Sequence, residues 1–153
     1  MDSADASRSP LDAAAVCLAA ELETVDADAG YVGMIAADGA TVEVARVTRY
    51  ASTPVRLSFP VDAPYPLVQA LRSGSALFIA DNEQLRCDHP GLVRVTSDDH
   101  ACATLPLTNA AGERLGAVNF GFEDPHPFTQ DELERIGAAA RRCAEALAGA
   151  ADG

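Results

Sequence analysis

The chain has 153 residues, 48% of them hydrophobic, and a formal net charge of -12. A chain of that length forms one domain that buries roughly 70% of its unfolded surface. The acidic balance argues against a general nucleic-acid binder, which needs clustered Lys and Arg to displace counterions, and against docking on an anionic membrane.

The start, MDSADASRSP, lacks the basic residues and apolar run of a secretory signal. No stretch has the eighteen or so apolar residues that a membrane-spanning helix requires, so the default compartment is the cytoplasm. Cys17, Cys87, Cys102 and Cys143 are widely spaced without a C-x-x-C pair, a pattern suiting reduced thiols better than a disulfide framework.

Residues 1–9 are small and polar and read as a flexible tail; 10–148 form the domain and 149–153 a second short tail. From Pro10 to Val25 the spacing of Leu11, Ala14, Ala15, Leu18 and Leu22 predicts a helix with one alanine-rich stripe. Two β-rich runs follow in GYVGMIAADGATVEVARV, with Asp38-Gly39 signalling a two-residue hairpin turn. Pro54 to Val61 reads as a short edge strand limited by Pro60.

PLVQALRSG is a short helix ended by Gly74, and SALFIAD a strand. Asp81 to Asp99 reads as a loop with at most one helical turn. Ala101 to Phe122, ACATLPLTNAAGERLGAVNFGF, is a hairpin of two strands about a polar turn. In PFTQDELERIGAAARRCAEAL, Thr129 caps a helix whose Glu132 reaches back to the cap amide, with Phe128 and Leu133 as the hydrophobic staple. This order gives an α+β fold: a central antiparallel sheet of five to six strands, with the terminal helices packed on one face.

The blocks DADAGYVGMIAADGATVEV, PLVQALRSGSALFIAD, ATLPLTNAAGERLGAVNFGF and PFTQDELERIGAAARRCAEAL occur in an order that resembles a GAF domain of the bacterial sensory and regulatory kind. The L-P-L strand, the G-E-R-L-G-A-V return strand and the F-T-x-x-E helix opening carry the resemblance. It implies a small-molecule cleft closed by loops and a short helix over the sheet face opposite the terminal helices. It also implies a homodimer joined through those helices, signalling to an output protein. The chain departs from the cyclic-nucleotide branch, whose dispersed N-K-F-D-E signature has no match, and lacks the Cys-His dipeptide of bilin attachment. No cofactor is therefore named.

Alternation along the return strand sends Leu115, Ala117, Asn119 and Gly121 to one face and Gly116, Val118, Phe120 and Phe122 to the other. Asn119 is an amide among apolar neighbours and wants hydrogen-bond partners, from a ligand or from a strand edge. With Thr104 and Cys102 it forms the polar part of the expected cleft. Tyr31, Met34, Phe59, Tyr65, Phe78 and Leu92 are the residues expected to close it, or else ordinary core. No arginine pair converges on these strands, which points to a neutral or weakly polar ligand.

Cys87 with His89, and His100 with Cys102, stand two apart, so extended backbone would present each sulfur beside an imidazole. Together they have the ligand types of a zinc site, or each histidine could lower the pKa of its neighbouring thiol; a loop histidine and a packed cysteine with no special chemistry is the third reading. The free methionine sulfoxide reductases, GAF-fold enzymes with cysteines in this loop region, make a cysteine-dependent reductase the runner-up to a non-enzymatic sensor. A dimerisation or docking module with an unused cleft is a further alternative. No Ser-His-Asp order, nucleophile elbow or phosphate loop appears.

Overall fold

The computed structural model describes residues 9–49, 51–93 and 100–152. It has six strands in one open sheet and, among the described residues, four helices. In chain order these are α1 (Pro10–Val25), β1 (Ala29–Ile35), β2 (Thr41–Thr48), β3 (Ala51–Pro60), α2 (Pro66–Ser73), β4 (Leu77–Ile79), α3 (Asn82–Asp88), β5 (Ala101–Thr108), β6 (Arg114–Phe122) and α4 (Gln130–Asp152). The sheet order is β3-β2-β1-β6-β5-β4, antiparallel throughout. The α+β expectation therefore holds.

The pairing of β1 with β6 is the long-range contact that organises the chain. It puts the first and last strands side by side at the centre of the sheet. The helix before β1 and the helix after β6 consequently reach the same face. There Leu11, Ala14, Leu18 and Leu22 of α1 meet Ile136, Ala139, Ala140 and Leu147 of α4 over Val32, Ala103, Val118 and Phe120. Alanines at the contact let the two helices approach closely. Arg142 of α4 forks onto Glu21 of α1, Nε donating to Oε2 at 2.6 Å and Nη2 to Oε1 at 2.7 Å.

Local signals set the helix ends. Ser9 caps α1 by accepting from the Asp12 amide at 3.1 Å, ahead of Pro10, whose missing N–H costs nothing there. Thr129 and Glu132 form the reciprocal box read from the sequence: Thr129 Oγ1 accepts from the Glu132 amide at 3.2 Å, and Glu132 Oε1 from the Thr129 amide at 3.4 Å. Gly74 ends α2 in the left-handed region at φ 74°. Arg114 Nη1 donates to the last carbonyls of α2, Leu71 at 3.0 Å and Arg72 at 2.9 Å, tying that helix to β6.

Three expectations change. The β1–β2 connection spans residues 36–40 and is not a two-residue turn. Asp38 Oδ1 accepts from both the Ala40 and Thr41 amides, at 2.9 and 3.0 Å, which rewards the wider loop. The strand after it is longer than expected, running Ala51–Pro60, with its register against β2 shifting between Arg46 and Thr48. Pro54 lies opposite that shift; it has no N–H to give to a ladder, so a bulge absorbs it. The Asp81–Asp99 region also holds a helix, α3. Asp81 Oδ1 accepts from the Gln84 amide and Gln84 Oε1 from the Ala80 amide, both at 2.7 Å. Residues 94–99 of the expected loop lie outside the described residues.

Candidate functional site

The face away from the terminal helices carries a second apolar layer. Leu67, Val68 and Leu71 of α2 pack on Tyr31, Val42, Val44 and Ala117. At the other end of that face Leu85 of α3 packs on Ile79 and Cys102. Between these two clusters the sheet presents one polar rung. The register aligns Arg46 of β2, Tyr31 of β1, Asn119 of β6 and Thr104 of β5 across four adjacent strands.

Hydrogen bonds within the rung spend only part of its capacity. Thr104, with no exposure, donates from Oγ1 to Asn119 Oδ1 at 3.2 Å and lies 3.9 Å from Cys102 Sγ. Asn119, 6% exposed, makes no hydrogen bond through Nδ2 to the described residues. Arg46 Nε donates to the Tyr31 hydroxyl at 3.1 Å, and its guanidinium carbon stands 5.7 Å from the Tyr31 ring centroid. Its two terminal nitrogens meet no carboxylate among the described residues. Two donors without a partner among the described residues thus flank Tyr31, on strands two apart and so ~10 Å from one another.

The structure brings some of the expected cleft residues to this face and not others. Tyr31, Cys102, Thr104 and Asn119 share it, and Phe59 lies at its β3 side with Tyr65 edge-on at 4.8 Å. Leu92 packs partly buried beside Ile79, Leu85 and Cys102, and with His89 it borders an open pocket of ≈ 350 Å³ that Asp62, Gln69 and Arg72 also line. Met34 and Phe78 are corrections. Both lie on the terminal-helix face, and the Phe78 ring meets Phe128 at 5.6 Å. Phe78 pairs with Ala103, an inward residue of that face, and its side follows from that register.

The cysteine and histidine pairs do not come together as a metal centre: no group of three or more His, Cys, Asp or Glu among the described residues could hold an ion. Cys87 lies in α3 and His89 caps its C-terminal end, where residues two apart diverge around the axis instead of sharing a side. Cys87 is exposed and Cys102 buried. His100 Nδ1 is 3.0 Å from Asn82 Nδ2 and the ring is exposed.

Sequence reasoning missed Arg46. Its signal was present, since Val42, Val44 and Arg46 alternate on β2 and the first two are core on this face. An open concavity of ≈ 680 Å³ lies elsewhere, between the β5–β6 turn and α4. Its lining of Ala144, Ala148, Arg141 and Glu145 beside Asn109 offers no convergent buried polar group.

This architecture, a six-stranded antiparallel sheet between paired terminal helices and a short-helix layer, is an α+β fold of the GAF type. The chain belongs to the GAF domain family, whose model matches residues 8–148. Among solved structures it is similar to the GAF domain of an Acinetobacter phosphoenolpyruvate-protein phosphotransferase, with TM-score 0.71 and 8% identity over 94% of this chain and 85% of that one. The GAF-B domain of DevS from Mycobacterium smegmatis matches with TM-score 0.67 and 19% identity, covering 94% and 96%. A free methionine-R-sulfoxide reductase from Neisseria meningitidis, solved with its substrate, matches with TM-score 0.69 and 16% identity over 98% and 85%. At these identities the likeness is one of fold. No curated protein matches the chain. No helix among the described residues is long and apolar enough to cross a membrane.

Proposed function

We propose that this domain is a cytoplasmic sensor that holds a small molecule over the Arg46–Tyr31–Asn119–Thr104 rung and reports its presence to an output protein through α1 and α4. The module acts as a homodimer joined by those helices. The observation that carries the reading is the pair of unspent donors, Arg46 and Asn119 Nδ2, on either side of the Tyr31 ring. Asn119 Nδ2 keeps some exposure, so it is open to an acceptor on a ligand in the cleft. An apolar surround with a few convergent polar groups is the usual make-up of a small-molecule site. The ligand therefore carries at least one carbonyl or carboxylate, a more polar molecule than the sequence alone suggested. Signalling requires that it bind one arrangement of the terminal helices better than the other.

A thermal-shift screen across purines, bilins, haem, metals, amino acids and aromatic carboxylates tests this. A true ligand at a hundred times its dissociation constant stabilises the fold by about 2.7 kcal/mol. That shift disappears in Asn119→Leu. A panel with no stabilising compound, on a chain that is robustly dimeric by light scattering, favours the docking-module alternative.

A second reading rests on Cys102, which lies on this face beside Thr104, and on the fold shared with free methionine-R-sulfoxide reductases. A reductase would turn over free methionine sulfoxide and lose that activity in Cys102→Ser or Cys87→Ser. The sensor reading predicts no turnover by the parent chain.

A further inference from the structure

Cys17 and Cys143 lie on the two terminal helices, away from the cleft face. Cys143 is fully buried among the α1–α4 core residues, while Cys17 is half-buried and packs against the same cluster. The two thiols are neighbours across the α1–α4 contact, near enough to influence one another. One turn along α1 from Cys17, Glu21 receives the Arg142 fork, and Arg142 is the neighbour of Cys143 in sequence. That two-point contact fixes the helices beside the two cysteines, and the small residues Ala14, Ala139 and Ala140 let the helices pack closely there.

We propose that Cys17 and Cys143 form a reversible intramolecular disulfide that staples α1 to α4 when the domain meets a peroxide. The Cys17 thiolate, on the accessible side, attacks one peroxide oxygen. The O–O bond breaks, leaving Cys17 as a sulfenic acid and releasing hydroxide that takes a proton to become water. The Cys143 thiolate then attacks Cys17 Sγ, forming the S–S bond and expelling a second hydroxide, protonated in turn. Two thiols lose two electrons and two protons, and one hydrogen peroxide becomes two waters.

Burial is the main influence on both thiols and pushes them up, with the Glu21 carboxylate adding to the rise and the Arg142 cation opposing it. The reacting thiolate is scarce at neutral pH, so the staple closes slowly there and faster in alkali. Glu145 is a further carboxylate facing Cys17. The staple needs no ligand in the cleft and stands independently of the sensor reading.

The test treats the purified full chain with hydrogen peroxide, blocks free thiols with iodoacetamide and maps the peptides by mass spectrometry. The expected product is a chain with no covalent link to a second chain, two hydrogens lighter, whose Cys17 and Cys143 peptides are linked and separate on dithiothreitol. Its melting temperature rises by roughly 5–10 °C, and closure speeds up ~10-fold from pH 7.5 to 8.5. Cys17→Ala and Cys143→Ala each abolish the link; should either fold poorly, the parent chain's peptide map decides alone. Alkylation of both thiols after peroxide treatment overturns the proposal. So does a link from Cys17 to a second chain, or to Cys87 or Cys102.

Discussion

Gly30 lies directly beneath Leu18: a Cβ placed on Gly30 would stand 2.9 Å from Leu18 Cδ2. Helix α1 thus rests on the β1 backbone itself, at the point where the two sequence-distant ends of the fold meet. Leu18 is wholly buried and has little room to yield. Gly30→Ala therefore lowers stability by about 1–3 kcal/mol, through overpacking. The double variant Gly30→Ala with Leu18→Val is less destabilised than the sum of the two single changes, because the second makes space for the first. Urea unfolding of the four proteins measures the coupling.

The Glu21–Arg142 fork gives the acid limb of stability a defined sign. The Arg142 hydrogen bond holds the Glu21 carboxyl below its ordinary range, outweighing burial, which raises it. Its contribution is then complete above the unfolded glutamate value of about 4.3 and is lost as pH falls through the lower folded value. Glu21→Gln lowers the melting temperature by roughly 2–4 °C at pH 7, since Arg142 is half-exposed and rehydrates. The difference between variant and parent closes as the pH is taken below 4. A melting series from pH 7 to pH 3 shows whether the curves converge.

At the start of α4, burial raises the Glu132 carboxyl, but hydrogen bonds from His126 and Thr129 outweigh it and hold it below the usual range. His126 also stacks on Phe122 at 4.2 Å, so the β6–α4 connection is packed and charged at one point. Thr129→Ala removes the cap acceptor and costs about 1 kcal/mol, while Thr129→Ser keeps most of it. Denaturant midpoints of the two variants separate the hydroxyl from its methyl.

The regular elements were legible because their signals are local. The α1 stripe, the α4 capping box and the β6 alternation each follow from residues a few positions apart, and Asn119 and Thr104 came to one face by that arithmetic. The misassigned side chains divide by cause. Tyr31 and Met34 stand three apart on one strand, so period two alone sends them to opposite faces. Phe78 sits in a strand of three residues, too short to show a period, and only its pairing with Ala103 decides its side. Helix α3 begins at an Asp81–Gln84 box in an otherwise unpatterned polar stretch. The meeting of Arg46 with Tyr31 follows from the β1–β2 register, which a turn centred on Asp38 and Gly39 already sets, so this contact was within reach of the sequence.

Native mass spectrometry of the chain after incubation with a cellular small-molecule extract bears most directly on the sensor reading. The account predicts a single bound compound of fixed mass, carrying a carbonyl or carboxylate, retained by the parent chain and lost from both Asn119→Leu and Arg46→Met. A bare chain under those conditions, or an adduct kept undiminished by both variants, would contradict it.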